Sequence, residues 1–264
     1  MVTQKAVNPA DGVGIAYRVL GDGPPLVLAH GTALSSAIWR AFGYVAALRE
    51  QFTLILPDMR GHGRSDKPHE PASYAMDLVV GDILAVLDEV GHERAHYLGY
   101  SFGARVGLSL AVAAPHRLRT LTAGGGSSRP QAGSFDKLFF PGCIDVLDHE
   151  GMTAFLDRWN AHRPWPLDPA TRAAFAANDT RALVAYLRRS EQEPGIPDDA
   201  LGSLTVPTQL FVGAEDRPRL SDTERLGALI PDSRLAVIDG FDHATTVAAA
   251  PEVLAVVRPF LEAH

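Results

Sequence analysis

The run Gly99-Tyr100-Ser101-Phe102-Gly103 frames a serine with glycines two positions to either side. The apolar segment 95–98 before it reads as a buried strand, and 102–114 after it as a helix ended by Pro115. A sharp strand-to-helix turn holds the serine oxygen out beyond the end of a sheet, and the glycines remove side chains that would collide there. The start of the following helix favours negative charge. The five residues alone would equally suit a serine that merely caps a glycine-rich turn. The flanking strand and helix favour a nucleophile.

A serine hydroxyl is a weak nucleophile at neutral pH, so it needs a base within hydrogen-bond reach and a third group that orients that base. Of the ten histidines, His243 falls just after the strand-like segment 235–238, in the loop Gly240-Phe241-Asp242-His243. The acid is expected between serine and histidine, and Gly213-Ala214-Glu215-Asp216 follows directly on the segment 209–212. Asp216 is the chosen acid and Glu215 its competitor. Asp242, adjacent to the histidine, is too near in the chain for productive geometry. The earlier segment 118–123 runs into Gly124-Gly125-Gly126-Ser127-Ser128 and offers no carboxylate. Acyl transfer also needs two donors aimed at a developing oxyanion. Those expected are the backbone N–H groups of Phe102 and of Thr32, the latter in the turn His30-Gly31-Thr32 after the segment 26–29.

The elements that must hold these groups alternate along the chain. Strand-like segments at 15–20, 26–29, 53–56, 95–98, 118–123, 209–212 and 235–238 are separated by helical periodicity at 74–90, 102–114 and 222–229, with a last helix at 251–261. This rhythm predicts an α/β fold, a mostly parallel sheet with helices on both faces. The stretch between residues 124 and 202 breaks it, with helical segments at 152–159 and 181–189 and no convincing strand. We therefore expect a core of residues 1–125 and 203–264, with 126–202 inserted as a helical cap. The cap aromatics Phe139, Phe140, Phe155, Trp159, Trp165 and Phe175, together with Trp39 and Tyr100, are candidates for an apolar pocket, although for any one of them packing is the commoner fate. Trp39, Tyr100, Trp159 and Trp165 are the foremost. His162, Arg188 and Arg189 could meet a carboxylate-bearing substrate, but at the edge of a cap helix they are expected to be solvated.

Composition narrows the partners. The 264 residues carry a formal net charge of -7 with the acidic residues scattered, which argues against nucleic acid or an anionic membrane surface as partner. A single cysteine, Cys143, excludes an intrachain disulfide and any multi-cysteine zinc site. No basic head with an apolar stretch opens the chain and no apolar run reaches membrane-spanning length, so a cytoplasmic protein is expected. Neither a metal nor a cofactor is called for.

On these segments together the chain resembles the α/β-hydrolase superfamily, over nearly its whole length. His30-Gly31-Thr32 resembles its oxyanion loop, Asp58-Met59-Arg60-Gly61-His62-Gly63-Arg64-Ser65 its D-x-R-G-x-G-x-S turn, and Gly99 to Gly103 its nucleophile elbow. Gly213 to Asp216 resembles its acid turn and Asp239 to His243 its histidine loop. The resemblance implies an eight-stranded, mostly parallel sheet. Serine at the elbow departs from the haloalkane dehalogenases and soluble epoxide hydrolases of the fold, which use aspartate. Within the serine branch the chain is similar to small carboxylesterases, to lactonases including enol-lactonases, and to carbon-carbon bond hydrolases. Ala244-Thr245-Thr246 after the histidine lacks the tryptophan usual in the last group. The implied activity is cleavage of a small-molecule ester or lactone through an acyl-enzyme. Carbon-carbon bond hydrolysis, a cofactor-free perhydrolase or haloperoxidase reaction, and a non-catalytic ligand-binding role remain open at this point.

Overall fold

The computed structural model describes residues 3–163, 166–167 and 169–264. Eight strands, β1 (Gln4–Val7), β2 (Gly14–Leu20), β3 (Pro25–Ala29), β4 (Thr53–Pro57), β5 (Ala95–Tyr100), β6 (Leu118–Gly124), β7 (Thr208–Gly213) and β8 (Ser233–Ile238), form one sheet in the order β1-β2-β4-β3-β5-β6-β7-β8. β1 and β2 pair antiparallel, as do β2 and β4, and every pairing from β4 across to β8 is parallel. The central strands β3, β5 and β7 are buried along their whole length. That explains their unbroken apolar character, since helices cover both faces.

Two apolar clusters flank the sheet. One joins Val27, Tyr97, Val106 and Leu121 to residues beyond β6 such as Phe155 and Tyr186. The other packs Leu26, Leu28, Leu98 and Phe211 against Trp39, Tyr44, Val253 and Phe260. The alternation of β-strand side chains between faces places neighbours such as Val27 and Leu28 in different clusters.

Between β6 and β7 the described residues contain five helices, Ser134–Leu138, Cys143–Ala161, Pro169–Ala176, Thr180–Ser190 and Asp198–Gly202. The second is interrupted at Gly151, with φ 84°. Its sequence pattern is therefore readable only from residue 152 onward. The first strand and the first two short helices were not among the elements expected from the sequence. β1 alternates against β2 with three of its four residues exposed, and Ala37–Ala41 and Tyr44–Leu48 are single helical turns. All three are too short to show a period. The helix after β7 starts at Arg217, five residues before the expected amphipathic stretch, with Asp216 at its N-cap position.

Candidate active site

The sheet's carboxyl edge gathers the side chains singled out above. Ser101 directly follows β5 with φ 55° and ψ -109°, a left-handed φ that a non-glycine residue rarely adopts. Its N–H donates to Gly124 O at 2.8 Å and its carbonyl accepts from Arg105 N–H at 3.0 Å, so both neighbouring elements hold it in this conformation. The two glycines of the turn answer close approaches. A Cβ on Gly99 would lie 2.3 Å from Gly103 O, and one on Gly103 would lie 2.2 Å from Ala29 O.

His243 lies in the loop after β8, and its Nε2 is 2.9 Å from Ser101 Oγ. Its Nδ1 is 2.6 Å from Asp216 Oδ2. Asp216 is only 3% exposed, whereas Glu215 is exposed, its backbone N–H engaged by Phe241 O at 3.0 Å. The later carboxylate is thus buried against His243, whereas the earlier one is exposed at the cleft. Asp242 is directed elsewhere: its Oδ1 accepts from the N–H of Ala244 and Thr245, at 3.0 and 2.9 Å, and its Oδ2 is 3.2 Å from Arg163. Burial works against its charge, but the Thr245 hydrogen bonds and Arg163 hold the carboxyl below its ordinary pKa.

Thr32 lies beside Ser101 on the loop after β3, where Gly31 approaches so closely that a Cβ there would be 3.3 Å from Ser101 Cβ. The Thr32 hydroxyl is 2.9 Å from that of Tyr186. Phe102, first residue of the helix Phe102–Ala113, carries an N–H with no acceptor within that helix. His30 is fully buried beneath this loop: one ring nitrogen, Nδ1, is 2.8 Å from Gly31 O, and the other accepts the Met59 N–H at 3.0 Å. Burial lowers its pKa, so it serves as a neutral tie. Asp58 takes the N–H groups of Ser36 and Arg64, at 2.8 and 2.9 Å. The 58–65 turn accordingly braces the loop that carries Thr32.

A cleft of about 210 Å³ opens over these groups. Tyr100 and Trp159 line it, together with Phe139 and Phe175. Trp39 does not. It is fully buried, edge-on to Tyr44 at 5.0 Å, because its single helical turn faces the sheet and it is Phe42, three residues on, that reaches the cleft. Trp165 lies outside the described residues. Phe140 and Phe155 pack together at 5.4 Å inside the inserted helices. Arg188 is exposed and paired with Asp148 at 2.7 Å, and His162 is exposed against Phe140. Arg189 is instead partly covered and paired with Glu193 at 2.9 Å. The sequence reading missed Arg163, whose guanidinium sits 5.5 Å over Trp159 at the cleft, and Tyr186. Neither lies in a motif. Among the described residues no cluster of His, Cys, Asp and Glu is placed to hold a metal ion, and no helix is long and apolar enough to cross a membrane.

A parallel sheet with this strand order, a serine at a strained strand-to-helix turn and a histidine presented from beyond the last strand define an α/β-hydrolase. The chain belongs to that family: the model of the alpha/beta hydrolase fold matches residues 24–193. RutD of Azorhizobium caulinodans, named as a carbamate hydrolase, is 30% identical over 90% of both chains. The esterase RhEst1 from Rhodococcus sp. ECU1013 superposes with TM-score 0.80 at 27% identity, covering 99% of each chain. The enol-lactonase from Burkholderia xenovorans LB400 shares the fold, with TM-score 0.81 at 22% identity over 96% of this chain and 98% of its own. By class the protein is a hydrolase.

Proposed function

We propose that the protein cleaves a small carboxylic ester or lactone through an acyl-enzyme on Ser101. The observation that carries this reading is the continuous hydrogen-bonded line from Ser101 Oγ to His243 Nε2, at 2.9 Å, and from His243 Nδ1 to Asp216, at 2.6 Å. In the first half-reaction Ser101 Oγ bonds to the carbonyl carbon as His243 takes its proton. The carbonyl electron pair moves to oxygen, where the N–H groups of Thr32 and Phe102 are the donors. Each such donor contributes roughly 3 kcal/mol to lowering the barrier. The pair then returns, the bond to the leaving oxygen breaks, and His243 gives that oxygen the proton. Water repeats the sequence on the acyl-enzyme and releases the acid, while Asp216 keeps the imidazole oriented and stabilises its cationic form.

In this reading residues 126–202 act as a cap over the core of 1–125 and 203–264, and Tyr100 and Trp159 supply apolar wall to the substrate. A carbamate is attacked at the same kind of carbonyl, and the name borne by the Azorhizobium relative places carbamates on the list of substrates to try.

The test is turnover of a panel of p-nitrophenyl esters, small lactones and carbamates, with fluorophosphonate labelling in parallel. Turnover abolished in a folded Ser101→Ala protein, with the label mapped to Ser101, is the expected result. Full activity in Ser101→Ala would end the proposal. Tight ligand retention without labelling or turnover would favour a binding protein.

A further inference from the structure

A second, smaller cavity of about 30 Å³ meets the substrate cleft at Thr32, Ser101 and Leu138. His243 borders the cleft but not this cavity. Acyl transfer gives the two spaces different occupants. His243 must hand its proton to the leaving oxygen, so the leaving group belongs in the cleft that His243 borders. The acyl chain then enters the smaller cavity. Its volume admits roughly two water-sized groups, enough for the end of a short chain whose first carbons lie at the mouth beside Ser101.

The walls of that cavity are charged. Arg105, Arg219 and Glu193 all border it. Arg105 is 6% exposed; Nη1 donates to the carbonyls of Ser127 and Arg129 at 3.0 Å and Nη2 to that of Pro194, while Nε has no hydrogen-bond partner. Arg219 has Asp222 at 3.5 Å, but Asp222 is already held by Arg129 at 2.5 Å. Glu193 is paired with Arg189 at 2.9 Å and also accepts the Met76 N–H. Four guanidinium groups therefore meet two carboxylates, and Arg105 and Arg219 are the two of the four that border the cavity. Burial pulls the Arg105 pKa down; Glu193 opposes that and Arg219 adds to it. Uncompensated buried charge is costly, and an anion in the cavity would relieve it.

We propose that this cavity is a carboxylate subsite for the acyl half of the substrate, so that the preferred substrates are monoesters or lactones of short dicarboxylic acids, with the free carboxylate held by Arg105 and Arg219. The inference rests on the serine-hydrolase reading for its orientation, while the cavity and its charge stand apart from it.

The decisive comparison is monoethyl succinate against ethyl 4-methylpentanoate, in which an uncharged isopropyl group replaces the carboxylate at nearly the same volume. In the wild type kcat/KM should favour the acid ester by about tenfold or more, the discrimination a site built for a charged partner achieves. Arg219→Gln should bring that ratio to about one, and Arg219→Lys should restore part of it. No preference in the wild type, or equal losses on both esters in Arg219→Gln, would overturn the proposal.

A binding measurement separates this inference from the catalytic one. Monoethyl succinate should raise the Tm of Ser101→Ala protein, and should not do so once Arg219→Gln is added. An equal rise with inorganic phosphate would make this a general anion site and overturn the acyl assignment. If Ser101 is neither labelled nor needed for turnover but this Arg219-dependent Tm rise persists, the hydrolytic reading falls and the carboxylate site remains.

Discussion

The hydroxyl of Tyr100 donates to the backbone carbonyl of His243 at 2.5 Å, and the two rings lie 5.4 Å apart. The residue just before the elbow serine thus holds the loop that presents the histidine. Tyr100 is itself immobilised, 2% exposed and packed against Phe211.

Removing that bond should blur the position of the imidazole. Tyr100→Phe keeps the ring and its packing and deletes one hydrogen bond, worth about 1 kcal/mol. We expect kcat to fall roughly fivefold with little change in folding stability or KM. Steady-state kinetics check this, and an unchanged kcat would show that the loop is held by other contacts, such as the Thr246 hydroxyl donating to Asp242 O at 2.6 Å.

The elbow should tolerate no side chain at Gly103. Its added Cβ would lie 2.2 Å from Ala29 O and 3.0 Å from Ala29 Cβ, against backbone that cannot swing aside. Gly103→Ala should cost about 2 kcal/mol or more through displacement of β3 or of the helix. Urea unfolding of the variant beside the wild type measures the difference. Gly43→Ala is a useful contrast, because nothing lies within 4 Å of a Cβ there and its cost arises only from φ 93°.

Arg60 is fully buried and forked onto Asp82, with Nε to Oδ2 and Nη2 to Oδ1 both at 2.6 Å, while Nη1 reaches Asp11 at 2.8 Å. Its loss strands a buried carboxylate. Arg60→Met should destabilise the fold by about 3 kcal/mol, and Arg60→Met with Asp82→Leu by less than Arg60→Met alone. Chemical denaturation of the two variants beside the wild type tests this, and a double variant no more stable than Arg60→Met would count against it.

Stability should decline on mild acidification. Burial, with Arg119, His264 and Arg94 nearby, pulls the His96 pKa down to about 4, and burial with His30 pulls His62 to about 3. The unfolded chain binds those protons near pH ~6.5, whereas the folded chain refuses them until well below that. Between pH ~6.5 and about 4 the unfolded state therefore holds more protons, and stability falls as pH falls. Urea midpoints measured at intervals down from neutrality should decrease. His96→Gln should flatten that slope, and an unaltered slope would show that His96 does not contribute.

The chemistry-bearing positions were the most legible part of this chain because their signals are local. A glycine-framed serine between a strand and a helix, a carboxylate just after a strand and a histidine after the last one need only short-range pattern and chain order. Seven strands were readable as apolar segments bounded by turn residues. The eighth, Gln4–Val7, is short, polar and largely exposed, and it was anticipated only through the family resemblance.

Other features depended on contacts between distant segments, which no local pattern encodes. Packing decided that Asp216 is buried on His243 while Glu215 stays exposed at the cleft, and that Trp39 fills the core while Phe42 meets the cleft. It also brought Arg105 from the elbow helix and Arg219 from the helix after β7 to one cavity beside Ser101. By itself the sequence determined the kinds of groups present and the order in which strands deliver them, since hydrophobic period and turn chemistry act over a few residues. Tertiary structure decided which neighbours face each group, because burial and charge compensation arise only where separate elements close upon one another.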